Sequence, residues 1–496
     1  MLGICTGFNQ SNNFSLAQKS WVAARTAHFN IYGCGSTLDV NKLAVRLEQF
    51  CEAYSLLAGA KAVASPPTVV IAFPDEQSMR PFLPLHEGKP GNLSGFFNRN
   101  SDENLIVLAM PHADSNSPGM EVIFHEYAHL LFRRNDRIWP VWLKEGMAEI
   151  YSTFEAEGRQ AQIARPIDRH LQVLAHEPLL PLHELFAVTP DSPEYNESSR
   201  QGMFYAESWL LTHYLMAGDN PAYKARFGRF TELLMAGQMP EQAFTNALGT
   251  SLPAMELQLR RYLERGVFKP VELPLAADVS APVYVATAAI TPVEIYFRLG
   301  DELLRIGRLD AAESYFTQAE KLAPASPFPY EGLGLLAAQR GQHDEALREL
   351  AAALQRGSAS FLVHFVYARE KYRQTANPQG RYAPLKTEAA SEIRNELQKS
   401  LALMPNFGPA HELLGFFEMV QGENLTAAEQ QLQLAIQLEP ENPAYLLTLA
   451  QVQLRDRDPN AARRILEPLL LPNVDAKIRA PAEVMLQKIG QSHSVQ

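Results

Sequence analysis

The sequence predicts an α+β domain followed by an all-α solenoid of helix pairs, and three observations predict it. Short runs rich in Val, Ile and Phe alternate with one long helical pattern in the early part of the 496-residue chain. From residue 292 onward the chain superposes on itself at a spacing of 34 residues. Between the two regions, the Pro-, Ala- and Val-rich stretch Lys269 to Pro292 breaks helical periodicity. The expected division is therefore a first domain at 20–268, a linker at 269–291 and a repeat domain at 292–490.

The elements follow in order. Ala27–Tyr32, Pro67–Phe73 and Asn104–Ala109 (NLIVLA) read as strands. Between the first two, Val40, Leu43, Leu47, Phe50, Tyr54 and Leu57 have helical spacing, which predicts a helix over Asp39 to Leu57. From Ser117 to about Phe268 the chain reads as mostly helical, with Ser117 before Pro118 as a helix start. In the repeat region the 34-residue shift places Leu299 on Leu333, Gly307 on Gly341, Asp310 on Asp344, Ala312 on Ala346, Phe316 on Leu350 and Ala319 on Ala353. Further units read at Asn406–Pro440 and Glu441–Leu470. A poorer unit at Ser358–Pro405 carries a polar insertion around Gln374–Pro384, and Lys477–Ile489 reads as the closing helix. Gly332 and Gly334 fall inside the repeat and are no phosphate loop.

Composition narrows the classes. With 46% hydrophobic and 20% charged residues the chain is a folded protein, and its length calls for more than one domain. A net charge of -11 argues against nucleic-acid binding, and no apolar run is long enough to span a bilayer. Cys5, Cys34 and Cys51 are too few for a disulfide framework. Met1 to Ser20 holds one basic residue, Lys19, and no continuous apolar stretch. The chain as given therefore reads as cytoplasmic, and as periplasmic or secreted if an N-terminal signal is missing from it.

The chemistry concentrates in two segments. EVIFHEYAHLLF places His125 and His129 four residues apart, on one face of a helix, where both imidazoles reach one metal ion. Glu126, beside the first histidine, is suited to hold and deprotonate an attacking water. After a polar link, WPVWLKEGMAEI begins a second helix at Pro140 with Glu145 and Glu149 again four apart. A helix returning antiparallel would present Glu145 as third ligand and leave a fourth position for water, as catalytic zinc requires. Glu149, one turn on, is placed to accept the far N–H of a ligand histidine. The alternatives are a buried helix whose polar groups pair locally, a solvated face for Glu145 and a surface acid for Glu149. Trp139, Trp142 and His213 read as packing or surface residues.

HEYAH followed by WPVWLKEGMAEIYS resembles the gluzincin, peptidase-MA-like zinc metallopeptidases, and the 34-residue units resemble tetratricopeptide repeats. The first resemblance implies a gluzincin-like fold over roughly residues 20–265 and one zinc ion per chain held by His125, His129 and Glu145. It implies Glu126 as general base and Glu149 as partner of a ligand. It also suggests Tyr205, in GMFYAESWLLTHYL, as donor to the developing oxyanion, against its alternative as a core residue. If the NLIVLA strand lies at the sheet edge over the cleft, it could pair with an extended peptide. The Gly-Ala-Met-Glu-Asn strand of aminopeptidase N-like members is missing, so nothing favours an exopeptidase.

The function expected is thus a zinc metallopeptidase acting on a peptide or protein, with a repeat domain that binds a protein partner or the substrate. Two other classes stand beside it: a tetratricopeptide interaction protein with an inactive peptidase-like domain, and a zinc hydrolase of another amide or ester.

Overall fold

The computed structural model of the chain describes residues 10–59, 62, 68–86, 88–91, 93–110, 118–132, 139–196, 198–276, 288–471 and 474–493. Cys5, Ser117 and the polar link at 133–138 lie outside them. The chain divides into two units, one of residues 19–99 and 104–290, the other of residues 291–496 with 1–18 and 100–103.

In the first unit, strands β1 (Val22–Arg25), β2 (Phe29–Gly33) and β3 (Thr68–Phe73) are followed by a short ladder of β4 (Leu85–His86) and β5 (Lys89–Pro90), then β6 (Gly95–Arg99) and β7 (Asn104–Ala109). Later come β8 (Glu155–Glu157), β9 (Gln160–Ile163), β10 (Val271–Pro274) and β11 (Ala288–Ala289). The main sheet runs β11-β1-β2-β3-β7-β6. Its centre is parallel, β2 with β3 and β3 with β7, whereas β6 lies antiparallel on β7. Every residue of β3 and β7 is buried, the pattern of strands covered on both faces.

Helix α1 (Thr37–Ala58) makes the crossover from β2 to β3. It starts where the Ser36 hydroxyl accepts from Asp39 N–H and stops at Gly59 in the left-handed region (φ 62°). Its apolar stripe, Val40, Leu43, Leu47, Phe50 and Tyr54, is buried. Phe50 stacks on Phe124 of α2 (Pro118–Phe132), 4.5 Å between centroids. Helix α3 (Val141–Ser152) begins one residue later than expected, because Pro140 is extended (ψ 153°) and caps the helix. Trp142 is fully buried between Phe186 and Phe230, and Trp139 packs on Phe132. Two more helices complete the surroundings of the site, α4 (Asp168–His176) and α5 (Ser198–Ala217).

Two expectations are corrected. The NLIVLA strand is not an edge: it is β7, flanked by β3 and β6, and the edge strand on that side is β6. The continuous apolar run made β7 visible, but such a run marks a strand buried on both sides, and its neighbour GFFNR is too short and mixed to stand out. The 269–291 stretch is not a linker where it is described. Val271 and Leu273 point inward and Glu272 and Pro274 outward, so VELP forms a half-buried strand antiparallel to β9, and Ala288–Ala289 pairs with β1. The described part of the 117–268 region is mostly helical, as the sequence predicts, and its hairpin β8–β9 pairs with β10.

The second unit is a run of helix pairs: Pro292–Arg305 with Leu309–Leu322, Phe328–Gln339 with His343–Gln355, Phe361–Arg373 with Thr387–Leu403, Gly408–Gln421 with Leu425–Leu438, and Ala444–Arg455 with Pro459–Leu466. The helix Ala476–His493 follows them. The superposable positions Ala312, Phe316, Ala319, Ala346, Leu350 and Ala353 are all fully buried. Gly334 is a contact point between helices: a Cβ there would stand 2.6 Å from Leu350 Cγ. The polar insertion folds back, with Tyr382 stacked on Tyr372 at 4.4 Å and Leu385 N–H donating to Gln421 Oε1. Among the described residues, no helix is long and apolar enough to cross a membrane.

Candidate metal centre

Helices α2 and α3 pack together so that the face of α2 bearing His125 and His129 meets the face of α3 bearing Glu145 and Glu149. One atom each from His125, His129 and Glu145 lies within 4.8 Å of the others. The two Nε2 atoms are 3.2 Å apart. Glu145 Oε2 is 3.2 Å from His129 Nε2 and 3.5 Å from His125 Nε2, yet no aligned hydrogen bond reaches it from a described residue. Three ligand-type atoms gathered this closely are what a shared cation requires. Two nitrogens and a carboxylate oxygen match the ligand set of an open tetrahedral site, so these residues fit a divalent ion.

Gly146, next to Glu145, explains how α3 gets there. A Cβ at this position would collide with Ser208 O and Thr212 Oγ1 of α5. The missing side chain lets α5 press α3 toward α2, and Glu145 is 3% exposed as a result.

Charge follows from this packing. Burial raises the Glu145 carboxyl, but the close approach and charge of His125 and His129 outweigh it and hold the group well below its usual range. His125 is lowered by burial and raised, on balance, by Glu145, Glu149 and Glu126. Glu126 is half-buried on α2 and makes no hydrogen bond or ion pair to another described residue.

Glu149 is buried beside the cluster. Its Oε1 is 3.6 Å from His125 Nδ1, close but longer than a hydrogen bond. Its Oε2 accepts from Arg169 Nη2 at 2.9 Å and lies 3.2 Å from His170 Nε2. Burial works against the Glu149 charge, but His170, His125 and Arg169 bring the group down to about 2. Arg169 also reaches Glu121 at 3.0 Å. Tyr205, on α5, has its ring 6.2 Å from that of His125, and burial followed by the Glu145 charge pushes its hydroxyl well above the usual value.

Sequence reasoning missed Tyr195, Arg169 and His170. Tyr195, in the short helix Pro193–Asn196, donates to Glu145 Oε1 at 3.1 Å; burial, then the Glu145 charge, push it up to about 12. Neither segment carries a motif. The one available signal was Glu149 itself, since a second buried acid needs a cationic partner. His213 is a core residue, fully buried, with Nε2 3.0 Å from Ala164 O and Nδ1 2.9 Å from Tyr262 Oη, and burial lowers it to about 4. Cys34 and Cys51 are buried and free.

Comparison with known proteins finds a tetratricopeptide repeat in the second unit. The tetratricopeptide repeat family model matches residues 293–326, the first helix pair, and the pairs after it repeat that unit. No curated protein matches the chain. Similar solved structures include YrrB, a tetratricopeptide-repeat protein with an unusual peptide-binding site, at 15% identity over 38% of this chain and 91% of that one, TM-score 0.32. A thermophilic tetratricopeptide-repeat protein of Thermus thermophilus, TTC0263, is 23% identical over 39% and 99%, TM-score 0.30. A tetratricopeptide repeat protein from Parabacteroides merdae is 14% identical over 55% and 88%, TM-score 0.30.

Proposed function

We propose that the chain is a zinc-dependent metallopeptidase whose tetratricopeptide repeats bind a protein partner or the substrate. The observation that carries the reading is the convergence of His125, His129 and Glu145, with the unpartnered Oε2 of Glu145 among them. These three residues would hold the ion. When bound, zinc supplies a Lewis acid that polarises a carbonyl and brings the pKa of water from 15.7 to about 7.

The protein's own groups do the rest. Glu126, one residue from a ligand, takes the proton from the attacking water and returns it to the leaving amine. The Tyr195 hydroxyl is committed to Glu145, so Tyr205 is assigned as the donor to the developing oxyanion. Glu149, held by Arg169 and His170, backs His125 and limits its rotation. An extended peptide would add to the sheet at β6, the edge strand on that side, rather than at β7.

The second reading is a tetratricopeptide interaction protein with an inactive peptidase-like unit. It is favoured by the family match, which falls on the repeats alone. Incubation of wild type and Glu126→Gln with a quenched-peptide panel tests the choice. Turnover by wild type and its loss in the variant support the peptidase; no turnover by a zinc-loaded wild type supports the interaction protein.

A further inference from the structure

The two oxygens of the buried Glu145 carboxylate have different neighbours. Oε2 faces both histidine Nε2 atoms and has no aligned hydrogen bond among the described residues. Oε1 accepts the Tyr195 hydroxyl at 3.1 Å. Tyr195 is itself fixed. Its ring lies parallel to that of Tyr205, 6.3 Å between centroids and 19° apart, and edge-on to Phe204 at 6.0 Å. Asn196 Nδ2, the next residue, donates to the carbonyls of Pro190 and Ser192 and closes the turn that carries it.

We propose that Tyr195 is a positioning residue that makes Glu145 a one-oxygen ligand. By holding Oε1 it leaves only Oε2 for the cation, so that water and substrate keep the remaining positions. This inference rests on reading His125, His129 and Glu145 as a metal site. The physical argument is that a phenol donating to a buried, ionised carboxylate makes a charge-assisted bond. Without it, Oε1 becomes a buried, unsatisfied acceptor. The most available partner is then the ion itself, and the carboxylate swings to chelate through both oxygens. Groups that orient a ligand in this way typically change metal affinity 10–100-fold.

The test substitutes cobalt(II) for zinc in the full chain and reads its visible absorption, which reports coordination number, together with cobalt affinity by chelator competition. Wild type is expected to give the intense spectrum of a four-coordinate site. Tyr195→Phe, which keeps the ring packing, is expected to give the weaker spectrum of a five-coordinate site and to shift cobalt affinity at least about tenfold. Tyr195→Ala gives the same spectral change, because the effect belongs to the hydroxyl. Variants with the wild-type spectrum and affinity overturn the inference while leaving the metal site standing. A wild type that takes up no cobalt overturns the metal site, and the inference with it.

Discussion

Substitution of Gly146 by alanine tests how the helices around the cluster are held. The added Cβ would stand 3.0 Å from the carbonyl carbon of Ser208, with the Ser208 oxygen and Thr212 Oγ1 closer still. Non-bonded carbons settle at about 3.5–4.0 Å, so α3 must back away from α5 by roughly 0.5–1 Å at this point. Ser208 contributes backbone to the clash, which cannot rotate aside as a side-chain tip can. Overpacking of this kind costs about 1–3 kcal/mol, and in a unit of this size each kcal/mol lowers Tm by about 2–4 °C. Gly146→Ala is therefore expected to melt roughly 2–12 °C lower. It should also bind zinc more weakly, because Glu145 is the adjacent residue. Gly228→Ala is the control: it sits exposed in the helix Pro221–Met235 with nothing near its Cβ. There the change should be stabilising, by about 0.5–1 kcal/mol. Differential scanning calorimetry and chelator competition read both effects. A Gly146→Ala protein with wild-type Tm and zinc affinity would refute the argument that α3 is set by close approach to α5.

Glu149→Gln keeps the shape of the side chain but removes the charge that Arg169 and His170 hold beside His125. Zinc affinity should fall about 10–100-fold, measured against a fluorescent chelator; an unchanged affinity would remove Glu149 from the site. Glu207, on α5, accepts Leu180 N–H at 2.7 Å, and burial first of all raises its carboxyl to about 8 from an ordinary 4.5. A folded-state pKa above the unfolded one means that the folded protein binds the proton more tightly, so wild type loses stability as pH rises from 4.5 to 8. Glu207→Gln, permanently neutral, should gain on wild type across that window in urea titrations and run parallel to it above; equal pH slopes would contradict the assignment.

What the sequence disclosed and what it concealed divide along physical lines. Long periodic segments were legible: the stripe of α1, the six buried residues of β7 and the small-residue positions of the repeats each state their environment through spacing alone. Strands β1, β6, β10 and β11 were not, because two to five residues of mixed polarity at a sheet margin carry too little pattern. The same limit misassigned VELP to a linker and left the position of NLIVLA in the sheet open, since pairing partners are a property of the whole sheet. At the site, residues on two adjacent helices at i, i+4 spacing could be grouped in advance. Tyr195, Arg169 and His170 arrive from two other helices and answer to a demand, a buried carboxylate in need of a donor, whose source the chain order does not reveal.

The central claim is that His125, His129 and Glu145 hold a catalytic zinc ion, and elemental analysis of the purified chain tests it most directly. Wild type and Glu126→Gln should each retain close to one zinc per chain, and Glu145→Ala should be depleted while remaining folded. A folded wild type without zinc, unable to take it up on addition, would contradict the claim and leave the tetratricopeptide repeats as the working part of the protein.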